Sequence, residues 1–78
     1  MDNLEFLKDL LKELVKDPEV IKPEATLKDL GIDSLDLVDV MLQAEEKLDI
    51  RFEDEELLGL KTVNDAVELL NKKTGKES

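Results

Sequence analysis

Apolar residues recur with the period of an α-helix in three stretches of the chain. Leu4, Leu7, Leu11 and Leu14 fall at i, i+3, i+7 and i+10, and Phe6, Leu10 and Val15 broaden the stripe. Glu5, Lys8, Asp9, Lys12 and Glu13 take the remaining positions, so the spacing predicts an amphipathic helix over about residues 3–16. Pro18 ends it and Pro23 keeps the next stretch from coiling, because each removes a backbone donor and biases its predecessor away from the α region. Residues 17–33 then read as one long loop, a kind of connection that is usually functional or disordered in compact domains. Ile21, Leu27, Leu30 and Ile32 give this loop apolar anchors, which predicts that it is pinned to the helices.

A second helix is predicted from Asp33 or Ser34, either of which caps free N–H groups, to about Leu48. Glu53-Asp54-Glu55-Glu56 places negative charge where a short helix would begin, and Gly59 suits its end, giving a short helix over about residues 54–58. Thr62 reads as an N-cap with Asp65 three residues on, and Val63, Ala66, Val67 and Leu70 make a last stripe over about residues 63–71. The polar tail, 72–78, is expected to fray. No alternating segment is long enough for a sheet. The expected fold is all-α: a small bundle of three longer helices and one short one, in a single domain spanning residues 1–78.

The second helix has more apolar faces than packing requires. Leu37, Val40, Met41, Ala44 and Leu48 form one uncharged stripe that should face the core. Leu35, Val38 and Leu42 lie on another face, interleaved with Asp39, Glu45 and Glu46. An exposed apolar face in an acidic surround suits docking of basic partners. Packing of the same face against the loop or the short helix is an equal alternative on periodicity alone.

Charge and composition then narrow the chemistry. The net charge is −10, and from Asp29 to Glu56 there are 11 acidic residues against Lys47 and Arg51, which argues against nucleic acid and for basic partners. With no cysteine and no histidine, the unmodified chain has no disulfide, thiol nucleophile or imidazole base, and an enzyme is not expected. The acidic opening residues are unlike a signal peptide, and no apolar run approaches the roughly 20 residues that cross a bilayer. A cytoplasmic monomer without membrane insertion is the expectation. Asp33, Asp36, Asp39 and the run from Glu53 to Glu56 lack the glycine-punctuated spacing of a calcium loop, so no metal site is expected and any divalent ion would bind loosely.

On its own, Asp33-Ser34-Leu35 is what an ordinary helix start looks like. In context, Thr26-Leu27-Lys28-Asp29-Leu30-Gly31-Ile32-Asp33-Ser34-Leu35-Asp36 followed by an acidic amphipathic helix resembles the signature of acyl carrier proteins. The resemblance extends over the whole chain in length, acidity, element order and the stretch from Ala44 to Glu56. It implies that Ser34 receives 4′-phosphopantetheine from coenzyme A, with Asp33, Leu35 and Asp36 flanking the site read by a phosphopantetheinyl transferase. Asp33 matches a family residue placed beside the metal-bound coenzyme A during that transfer. It further implies that Leu35, Asp36, Val38, Asp39, Leu42, Glu45 and Glu46 face partner enzymes and that an acyl chain can withdraw between the helices. Leu37, Met41, Leu57 and Val63 are the hypothesised border of such a chain, whereas composition alone reads as an ordinary aliphatic core. The partners so implied are acyltransferases and the basic-surfaced malonyl transferase, ketosynthases, reductases and dehydratase of fatty acid synthesis. Gly31 reads either as a position kept clear beside the serine or as a turn residue of permissive φ. Ile32 departs from the alanine common there. A carrier for polyketide, peptide or D-alanyl transfer shares the same arm, and an unmodified acidic interaction module, with Ser34 as a mere cap, is a reading from another class.

Overall fold

A computed structural model describes residues 3–15 and 17–75. Four helices follow one another: α1 (Asn3–Leu11), α2 (Ser34–Leu48), α3 (Asp54–Leu58) and α4 (Val63–Thr74), with a short 3₁₀ turn, Pro18–Val20, in the long first connection. The fold is a small all-α bundle, and among the described residues the only β pairing is one isolated antiparallel bridge between Thr26 and Thr62.

The core is aliphatic. Leu7 and Leu11 of α1, Val40, Met41 and Ala44 of α2, and Val63, Ala66 and Leu70 of α4 are buried almost completely. Each large side chain so enclosed contributes about 1.5–3 kcal/mol by leaving water. The long loop takes part as the sequence leads one to expect: Ile21, Leu27 and Ile32 are buried with the helices, and Leu30 is half-buried. Its backbone is also tied down, since Ala25 and Pro23 carbonyls accept from Val63 and Asn64 N–H at 3.0 and 2.9 Å, and Leu27 N–H donates to the Lys61 carbonyl at 2.9 Å.

Two boundaries differ from the expectation. α1 ends at Leu11, not near residue 16, which itself lies outside the described residues. Leu14 keeps the helical register but is 40% exposed, so nothing rewards continuing the helix to bury it, and Leu14 N–H instead closes a tighter turn onto the Leu11 carbonyl at 2.8 Å. α4 runs on to Thr74, beyond residue 71, and the first residues of the expected tail are therefore helical. Tertiary bonds hold this end: Asn3 Nδ2 donates to Asn71 Oδ1 at 2.7 Å and to Thr74 Oγ1 at 3.2 Å, and Lys73 pairs with Glu56 at 2.9 Å. Gly75, at φ 74°, then closes the helix with its N–H on the Asn71 carbonyl. Residues 76–78 of the expected tail lie outside the described residues. Among those described, no helix is long and apolar enough to cross a membrane.

Candidate functional site

The start of α2 is built from a turn and a cap. Residues 26–31 coil on themselves, with Leu30 N–H on the Thr26 carbonyl, Gly31 N–H on the Lys28 carbonyl and Asp29 N–H on Thr26 Oγ1. Gly31 closes that turn at φ 78°, and a Cβ added there would meet nothing within 4 Å. The left-handed backbone is by itself reason enough for glycine at this position. Asp33, extended at φ −87° and ψ 178°, is the N-cap: its Oδ1 accepts from Asp36 N–H at 2.9 Å, and its carbonyl from Leu37 N–H at 3.0 Å.

Ser34 follows as the first helical residue, exposed, with a hydroxyl that has no hydrogen-bond partner among the described residues. The N–H groups of Ser34 and Leu35 are also without partners there, two of the four donors that every helix start leaves open. An unengaged hydroxyl thus sits beside free backbone donors at the positive end of a 15-residue helix, an arrangement able to accommodate a phosphoester.

A cleft of about 500 Å³ opens next to Ser34. Leu27, Ile32, Leu37 and Leu60 supply its apolar surface; Lys28, Asp33, Ser34 and Lys61 are its exposed members. Of the four residues expected to border an acyl chain, Leu37 lines this cleft, whereas Met41, Leu57 and Val63 lie buried in the core beyond it. Leu27, Ile32 and Leu60 were not singled out from the sequence for this role. The one available signal was Ile32, a large aliphatic residue in the loop just before the serine.

The second face of α2 is solvent-facing at its ends and packed at its middle. Leu35 is 80% exposed and Leu42 49%, Asp39 and Glu46 are exposed, Asp36 is half-buried, and Val38 is half-buried against the core. Glu45 has a structural bond as well: its Oε2 accepts from Phe52 N–H at 2.7 Å, anchoring the link to α3 just after Asp49 leaves the helix at φ 56°. Leu58, 80% exposed on α3, adds an apolar residue that the periodicity did not single out. The signal was the doublet Leu57-Leu58 in a five-residue helix, only one of which can face inward.

Two carboxylates lie below their ordinary range, both through hydrogen bonds at helix starts. Glu56 accepts from Glu53 N–H and is helped by Lys73; Asp65 accepts from Thr62 and Lys61 N–H.

Residues 5–70 match the family model described as a phosphopantetheine attachment site. The acyl carrier protein of Bdellovibrio bacteriovorus is 44% identical over 69 residues, spanning 86% of this chain and 88% of its own. That of Streptococcus thermophilus is 43% identical over 65 residues, spanning 83% and 85%. The crystal structure of an acyl carrier protein from Thermotoga maritima superposes with a TM-score of 0.83 at 30% identity, covering 97% of this chain and 94% of that one.

Proposed function

The chain belongs to the acyl carrier protein family with its phosphopantetheine attachment domain, and on that premise we propose that it carries acyl groups in fatty acid synthesis on an arm joined to Ser34. The observation that carries the assignment to Ser34 is its exposed, unpartnered hydroxyl at the first position of α2. The chain is a carrier and not an enzyme. Its covalent 4′-phosphopantetheine supplies the thiol that the polypeptide lacks, which holds cargo as an activated thioester.

In the attachment step Ser34 Oγ bonds to the phosphorus that bears pantetheine in coenzyme A. The pyrophosphate P–O bond breaks, the nucleotide half departs, and the hydroxyl proton passes to the phosphopantetheinyl transferase. The free N–H groups of Ser34 and Leu35 would be the donors available to hold the new phosphodiester. Asp33 and Asp36 flank the serine for recognition by the transferase. Leu35, Val38, Asp39, Leu42 and Glu46, with Leu58 beside them in character, form an acidic face with an apolar centre for malonyl transferase, ketosynthases, reductases, dehydratase and acyltransferases. Its charge speeds encounter with basic surfaces, and tethering raises the local concentration of cargo at whichever enzyme is docked.

Intact-mass measurement before and after treatment with a transferase and coenzyme A tests this reading, followed by peptide mapping. One phosphopantetheinyl group should appear on Ser34 and none on Ser34→Ala. An unchanged mass, or an arm on another side chain, would overturn it.

A further inference from the structure

The lysines of the cleft are unexpected in so acidic a chain. Lys28 and Lys61 line it beside Ser34, where the only carboxylate is that of Asp33. Among the described residues the ion pairs are Lys12 with Asp9 and Lys73 with Glu56, so neither cleft lysine is paired. In a chain of net charge −10, the charged residues lining this cleft are two lysines against one carboxylate, with Asp29, Asp36 and Asp65 close by in sequence but outside the lining.

Their placement is set by the backbone. The bridge between Thr26 and Thr62, with Leu27 N–H on the Lys61 carbonyl, fixes the loop against the segment before α4. The turn over residues 26–31 then brings Lys28 to the same cleft as Asp33 and Ser34. Lys61 also contributes a little to the field on Asp65, but it makes no ion pair with it.

We propose that Lys28 and Lys61 clamp the phosphodiester on Ser34, holding the root of the arm over the cleft and off the outer face of α2. This rests on Ser34 carrying the arm. A phosphodiester one bond from Ser34 Oγ brings a negative charge next to Asp33, and the two free N–H groups of α2 offset that repulsion only in part. The two exposed lysines that line the same cleft supply further positive charge, and their long flexible stems can reach an anion without moving the backbone. The phosphodiester is favoured over an anionic cargo because its position is fixed by Ser34, which lines the cleft, whereas the far end of the arm is free to leave. Exposed as they are, the lysines should act in a salt-dependent way.

The test uses the full chain carrying its arm, as wild type, as Lys28→Gln/Lys61→Gln, and as a control Lys22→Gln/Lys47→Gln at exposed lysines away from the cleft. Phosphorus NMR of the phosphodiester and nitrogen relaxation of a labelled arm are followed from low to high salt. In wild type and control the phosphorus signal should shift with salt, and the arm should be restrained near its root. In the cleft double variant the shift should vanish and the ratio of held to free arm fall roughly 2- to 5-fold, as for exposed ion pairs. Identical spectra for all three would overturn the clamp while leaving the attachment intact. Dependence on the lysines only when the arm bears a carboxylated acyl group would overturn it too, by assigning the pair to the cargo. Failure of the mass to rise at all would remove the attachment reading, and the clamp with it.

Discussion

α2 and α4 begin with the same spacing and put it to opposite uses. Each opens with a capping residue followed three positions later by aspartate: Asp33 and Asp36 in one, Thr62 and Asp65 in the other. At α4 every early donor is satisfied. Thr62 Oγ1 accepts from Asp65 N–H, Asp65 Oδ2 accepts in return from Thr62 and Lys61 N–H, and loop carbonyls take Val63 and Asn64 N–H. The first helical residue there is Val63, fully buried. At α2 the cap bond runs one way only, the first two N–H groups stay open, and the first helical residue is an exposed serine. A closed helix start serves stability; an open one keeps donors and a hydroxyl free for the attachment proposed above.

Exchanging the first helical residue for alanine should separate the two uses most sharply. Ser34→Ala is expected to abolish arm attachment while changing stability by less than about 0.5 kcal/mol, because the cap is Asp33 and Ser34 makes no bond to lose. Val63→Ala should cost about 1–3 kcal/mol in urea unfolding, from lost burial and the cavity left, with attachment unimpaired. If Ser34→Ala destabilised the bundle as much as Val63→Ala, the contrast would be lost.

A smaller effect is expected from opening the box itself. Thr62→Ala removes the acceptor for Asp65 N–H and should cost about 0.5–2 kcal/mol at neutral pH. Asp65→Asn should carry a penalty whose pH dependence has a definite sign. The folded pKa of Asp65 lies below its ordinary value, so its ionised form stabilises the fold above the ordinary carboxylate range, and that benefit is lost as pH falls through the lowered folded value. Wild type and Asp65→Asn should therefore converge in stability in acid, as paired urea titrations across pH would reveal. Smallest of all, Asp36→Asn should leave stability within about 0.5 kcal/mol, since no hydrogen bond to its carboxylate closes a box. A penalty matching that of Asp65→Asn would show that the start of α2 is closed after all.

Much of this was legible in the residues, and what was not has physical causes. The cap-to-aspartate spacing at Thr62 and Asp65 announced α4 because the box is local, needing only neighbours in sequence. The uncharged stripe of Leu37, Val40, Met41 and Ala44 identified the buried face of α2 for the same reason. The ends of α1 and α4 were hidden because they depend on partners far along the chain. Leu14 keeps the period yet finds no cover, while Lys72 to Thr74 have no apolar period yet are held by Asn3 and Glu56. At the site, periodicity and resemblance marked Ser34 and the acidic face. The cleft stayed invisible, since Leu27, Ile32 and Leu60 meet only through the pairing of two loops.

That pairing has a mechanical consequence. The carbonyls of Pro23 and Ala25 finish the first turn of α4, and Leu27 borrows the Lys61 carbonyl in exchange, so the long connection and α4 share one set of bonds and must loosen together. Widening the mouth between them cannot be a private motion of a slack strand. It lifts the brace from a helix that carries a third of the buried core, Val63, Ala66, Val67, Leu69 and Leu70 among fifteen apolar residues, which makes access to the interior a cooperative event of the whole bundle.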